Sequence, residues 1–178
     1  MGEQGTEIRI YVACLAAYNN GWLHGRWVNA DQEAEAIQAE AIQAEIAAML
    51  AASPIPDAEE WAIHDYEGFE GAPISEYQGI DSVAALAAFI AEHGALGGKL
   101  IAHFGGDLDE AHTAIEERYF GEYARLADFA EESTENTHDI PEALRPYIDY
   151  EAMGRDWAIS DLLTIEIGFE QIHIFGSC

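Results

Sequence analysis

The chain has 178 residues, 49% apolar and 11% aromatic, which is enough apolar mass for one sizeable core or for two or three small modules in line. Against 34 acids stand 7 bases, a formal charge of -27, which excludes nucleic acid and anionic membrane surfaces as direct partners. A compact globule of this length is about 40 Å across, or roughly one net charge per 1.5 Å, close to the ~1.7 Å per charge of duplex DNA. The partner such a chain invites is a basic surface, or cations.

In chain order, Ile8, Ile10, Val12, Cys14 and Ala16 alternate along a predicted strand over 7–18, with a second at 22–29. Asn20-Gly21 between them reads as a hairpin turn. Asp31 is the expected N-cap of a helix running to about Ala52, where Ser53-Pro54 ends it. Within it AIQAE occurs in tandem, at Ala36–Glu40 and Ala41–Glu45. Five residues turn a helix by about 500°, so the copies face different ways and a small duplication explains them. A third strand near Glu60–Tyr66 completes a β-hairpin–α–β unit, a three-stranded antiparallel sheet, which Gly68, Gly71 and Pro73 close off.

Asp81 is expected to cap a helix through Val83, Leu86, Ala87, Phe89 and Ile90, ending at His93-Gly94. A short helix at Lys99–Phe104 follows, then one over Leu108–Arg118, the extended YFGEY, and a helix from Leu126. Thr134–Ile140 reads as a loop, Pro141 as a helix start interrupted before Pro146, and Ile148–Ala158 as helix. The tail, Leu162–Phe175, reads as two strands around Gly168. It is the least acidic part of the C-terminal half, which marks it as core or self-association edge. The fold class is α+β, with an N-terminal α+β module (1–72), a helical middle (73–105) and a C-terminal α+β module (106–178) holding the densest acidic helices.

Asp107 to Glu135 dominates the charge. It holds Asp107, Asp109, Glu110, Glu116, Glu117, Glu122, Asp128, Glu131, Glu132 and Glu135 against Arg118 and Arg125. At 100° per residue Leu126, Phe129 and Ala130 share one helical face, and Asp128, Glu131, Glu132 and Glu135 the other. Each like-charge neighbour at that spacing costs an isolated helix roughly 0.2–0.5 kcal/mol. Along the axis the row gives about one charge per 3.5 Å, against ~3.4 Å between phosphates of one DNA strand. These ten acids are the candidate partner-binding residues, a shaped negative field with no reaction attached.

Catalytic and metal motifs are thin. GALGGKL at Gly94–Leu100 is one residue short of a P-loop, and Leu100 stands where Ser or Thr would hold magnesium; a glycine-broken helix connection is preferred. His112 and Glu116 lie one turn apart without a third ligand, so no metal is expected. Asp107–Glu110 lacks the glycine and terminal glutamate of a calcium loop. HDYEGFEG at His64–Gly71 reads as a strand end and a turn. No cofactor and no enzymatic activity are expected. Cys14 and Cys178 have no metal or disulfide spacing, the opening MGEQGTE is unlike a signal peptide, and no apolar run approaches ~18 residues. The expected location is cytoplasmic.

Arg9–Trp27, Ile63–Phe69, Ser75–Tyr77, Ile90–Gly94, Glu116–Glu132 and Tyr147–Trp157 together resemble the ArdA-type antirestriction proteins of plasmids and conjugative elements. The resemblance covers most of the chain in order. It implies an elongated homodimer of small α/β modules whose acids imitate the phosphates of bent duplex DNA. Such a protein occupies the DNA-binding groove of type I restriction–modification enzymes and shields incoming DNA. The tandem AIQAE looks like a departure from the family. Two other classes compete: an acidic cytosolic protein of a salt-adapted host with another basic partner, and a metal-dependent hydrolase.

Overall fold

The computed structural model describes residues 6–31 and 35–177. Residues 1–5, residues 32–34, where the helix expected after Asp31 would begin, and the terminal Cys178 lie outside the described residues. The chain forms two compact units, Met1–Gly106 and Asp107–Cys178, and each builds its own three-stranded antiparallel sheet. The class is α+β.

In the first unit β1 (Arg9–Cys14) is central, between β2 (Gly25–Asn29) and β3 (Trp61–Glu67). The alternation seen in sequence buries Ile10, Val12 and Cys14, with Ile10 opposite Val28 and Val12 opposite Ile63. Gly25 is required here, since a Cβ would lie 2.4 Å from the Val12 carbonyl.

Asn20-Gly21 is not the two-residue turn that the sequence suggested. A short helix, α1 (Leu15–Asn19), intervenes, and Gly21 at φ 80° ends it. The Gly21 N–H donates to the Tyr18 carbonyl and the Trp22 N–H to that of Ala17, a Schellman closure. The left-handed tolerance that suits Asn-Gly to a hairpin turn suits Gly equally to a helix end. Ala16 and Ala17 tip the balance toward helix.

Helix α2 (Glu35–Ala51) packs on β1 and β2 through Gln38, Ile42, Ile46 and Met49, all buried at spacings of four, four and three. The stripe takes the third position of one AIQAE copy and the second of the other. The copies are therefore not equivalent in the fold.

Helix α3 (Ile80–His103) begins after Gly79, not Asp81. Ile80 is buried with Val83 and Ala84, so burial draws the helix start earlier and leaves Asp81 in the first turn. Gly94 (φ 60°, ψ -141°) breaks the helix where a terminating glycine was expected, and helix resumes to His103. Of the other GALGGKL glycines, Gly98 is a packing residue, for a Cβ on it would lie 2.4 Å from the Glu70 Cβ and 2.6 Å from its carbonyl. By length and composition α3 is the one helix among the described residues able to cross a membrane, yet half of that window is buried inside the protein.

In the second unit β6 (Gln171–Gly176) is central, between β4 (Tyr119–Tyr123) and β5 (Leu162–Gly168). Helix α4 (Leu108–Glu117) leads into β4, and α5 (Leu126–Thr137) packs on α6 (Tyr150–Ser160). Phe129, Ala130, Ile174 and Phe175 are buried at the core. The close approach of α5 and α6 needs Gly154, whose Cβ would meet Leu126 at 3.0 Å.

Two boundaries differ from expectation. Helix α5 runs on to Thr137, because Thr137 Oγ1 donates to the Ser133 carbonyl and the His138 N–H closes on Thr134. No α-helix starts at Pro141; a turn to Leu144 and a 3-10 turn at Arg145–Tyr147 take its place, since Pro146 blocks continuation.

Candidate partner-binding surface

Eighteen of the 34 acids but only four of the seven bases fall in Asp107–Cys178, the shorter unit, so its acid density is the greater. The ten candidate acids all sit there, on α4, β4 and α5.

Asp107 caps α4, accepting from the Glu110 N–H at 3.1 Å, and Asp109 and Glu110 follow in the first turn. Three carboxylates at a helix N-terminus are stabilised by its dipole. Glu110 also meets Arg118 at 3.3 Å. Glu116 and Glu117 are exposed at the opposite end of α4, where no basic residue answers them in the last turn and the dipole opposes them.

On α5 the two faces separate as the periodicity required. Ala127, Phe129 and Ala130 are buried, while Glu131, Glu132 and Glu135 are exposed and Asp128 is half-buried. The acid row is held at both ends by arginine. Arg125 meets Asp128 at 2.6 Å, and Arg145 meets Glu135 at 2.6 Å. The first pair is visible in sequence at a spacing of three. The second joins residues ten apart in sequence, across the end of α5 and the loop after it, and shows no periodic signal.

Tyr123 and Tyr150 border the same row. Burial raises the Tyr123 phenol, and a hydrogen bond to Glu132 raises it further. Burial likewise raises Tyr150, with the Glu135 and Glu131 charges adding to it. Both hydroxyls therefore stay protonated beside the carboxylates.

Glu122 has a different role. It lies opposite His173 across β4 and β6, with its carboxylate 3.3 Å from Nε2. The Tyr119 hydroxyl lies 2.8 Å from Nδ1, and the two rings stack at 5.8 Å. His173 is 7% exposed; burial lowers its pKa and Glu122 opposes that. Burial also raises Tyr119, again with Glu122. The hydrogen bond between Tyr119 and Nδ1 ties β4 to β6, while Nε2 lies beside the Glu122 carboxylate without a hydrogen bond. Sequence reasoning missed it because His173 lies 54 residues from Tyr119 and only strand register joins them.

Among the described residues no group of three or more His, Cys, Asp or Glu side chains is placed to hold a metal ion. His64–Glu67 belongs to β3, and Gly68 and Gly71 turn the chain after it with φ of 79° and 91°. The acid row of α5 rests on buried Ala127, Phe129 and Ala130 and is bounded by Arg125 and Arg145. The family model of the antirestriction protein (ArdA) matches residues 10–171, and the chain belongs to that family. Membership assigns it an antirestriction function, with restriction–modification enzymes in general as its partners. It is a family of antirestriction proteins rather than of enzymes. No curated protein matches the chain.

Proposed function

We propose that the chain acts as a DNA mimic, entering the DNA-binding groove of type I restriction–modification enzymes and protecting incoming plasmid or mobile-element DNA in the cytoplasm. The observation that carries this reading is the outer face of α5, where Glu131, Glu132 and Glu135 stand exposed above buried Ala127, Phe129 and Ala130. Asp107, Asp109, Glu110, Glu116, Glu117, Glu122 and Asp128 extend the field over the rest of the unit. Affinity then arises as it does for DNA in a basic groove, from many weak contacts and released counterions. The active species is a homodimer joined through the C-terminal module, where β5 is a sheet edge and the Leu162–Phe175 tail carries few acids.

Displacement of duplex DNA from a purified type I enzyme tests the mechanism, at two salt concentrations. Displacement at both salts, with the chain's own binding to the enzyme weakening as salt rises, is the expected result. An enzyme that keeps its DNA at saturating protein would refute it.

A further inference from the structure

The first unit has exposed aromatics that its own core does not need. Tyr18 is 54% exposed, Tyr66 41% and Tyr77 70%. They border two clefts that share α1, β3 and the segment after Pro73 as walls. In one, of about 460 Å³, Tyr18, His64 and Tyr66 stand around Ile63 and Ile74, with Glu76 at the lip. The other, of about 400 Å³, is lined by Trp61 and Tyr77 together with Glu59, Glu60 and Leu15.

Both clefts are held by backbone. The Ile63 N–H donates to the Glu76 carbonyl at 2.9 Å, and the Leu15 N–H donates to that of Glu60 at 3.0 Å. Within the first, Tyr18 meets His64 edge-on at 5.0 Å, and His64 Nε2 lies 3.8 Å from the Glu76 carboxylate. Tyr66 stands edge-on to buried Phe69 at 5.9 Å.

An aromatic wall beside a carboxylate is the environment a guanidinium prefers. The plane stacks on the ring face while its N–H fork pairs with the carboxylate. Lysine carries the same charge but presents neither plane nor fork. An anionic or neutral apolar ligand is disfavoured by the carboxylates at each lip and by the net charge of -27. We infer that these two clefts receive arginine side chains of the basic partner, adding a stacking contact that phosphate imitation alone does not supply. The inference rests on the proposed function for the partner's identity, and on the clefts for its chemistry.

Hexa-arginine and hexa-lysine, titrated calorimetrically into the whole chain at two salt concentrations, separate stacking from charge. Arginine should bind about two- to five-fold more tightly per engaged cleft, the size of an exposed cation–π contact. The salt dependence should be the same for both peptides. Tyr18→Ala with Glu76→Gln should reduce that preference, as should Tyr77→Leu in the second cleft. Tyr66→Leu retains apolar contact with Phe69 and guards against a folding artefact. Equal binding of the two peptides, or a preference that survives these changes, overturns the inference. Arginine preference without DNA displacement from a type I enzyme retires the partner and leaves the clefts standing. Displacement by wild type and cleft variants alike retains the partner and removes the arginine contact.

Discussion

The sharpest prediction concerns the four acids of α5, neutralised one at a time and then together. Glu131→Gln removes like-charge neighbours at Asp128 and Glu135, so the helix should gain roughly 0.2–0.5 kcal/mol per neighbour. Asp128→Asn has the opposite sign. Asp128 pairs with Arg125 at 2.6 Å and lies in the first turn, so the change should cost about 0.5–1 kcal/mol from the ion pair and the dipole together. Glu135→Gln loses its exposed pair with Arg145 and should cost less than about 0.5 kcal/mol. Summed over the quadruple variant these terms nearly cancel, and thermal melting should move little.

Binding should behave differently. If each carboxylate stands for a phosphate, removing four should flatten the log–log salt dependence of inhibition by at most about 3–4, at ~0.9 per duplex phosphate contact, and by less where Asp128 and Glu135 are already paired with arginine. Single variants should remain within about 1 kcal/mol of wild type. The assay is competition with DNA for a type I enzyme across a salt series, with melting run in parallel. Loss of all inhibition from one substitution in a folded protein, with the others silent, would refute distributed mimicry. An unchanged salt slope in the quadruple variant would refute it as well.

Other expectations follow from the same geometry. Arg125→Ala and Arg145→Ala should each strengthen inhibition at low salt by freeing Asp128 or Glu135, and competition titrations will read this directly. His173 has a depressed pKa, so the unfolded chain takes up its proton first. Its contribution is present above the ordinary value of about 6.5 and is lost as pH falls below it. His173→Gln should flatten the melting profile below about pH 6.5 relative to wild type. Tyr119, Tyr123 and Tyr150 are raised, so the unfolded chain ionises first and stability should decline as pH climbs above about 10, measurable by alkaline melting with ultraviolet detection. Gly98→Ala should destabilise the first unit by about 1–3 kcal/mol, since overpacking against Glu70 outweighs the helix propensity gained; urea unfolding will report it.

What the sequence could reveal was whatever repeats locally. Period-two burial in β1, period-3.6 burial in α5 and the break at Gly94 all follow from neighbours within a turn or a strand. The tail hairpin around Gly168 was legible for the same reason. The acids were legible as a set, because charge shows in composition, but their pairing was not. Arg145 reaches Glu135 over a loop, and Glu122 meets His173 only through the β4–β6 register. Asn20-Gly21 misled because one local preference serves two structures, and Asp81 because burial of Ile80 outweighed a good cap. The aromatic clefts were invisible in sequence, since α1, β3 and the segment after Pro73 meet only in the folded unit.

The division of α5 into an inward and an outward side bears on how such a protein can change over generations. Ala127, Phe129 and Ala130 are buried, so most replacements there carry a folding cost. Glu131 and Glu132 are exposed, and a lineage can redistribute acids among those sites while its frame stays fixed. A host enzyme that shifts a basic residue to escape inhibition can thus be followed by small, independently tolerated steps. Lineages under that pressure should diverge quickly on one side of the helix and hardly at all on the other.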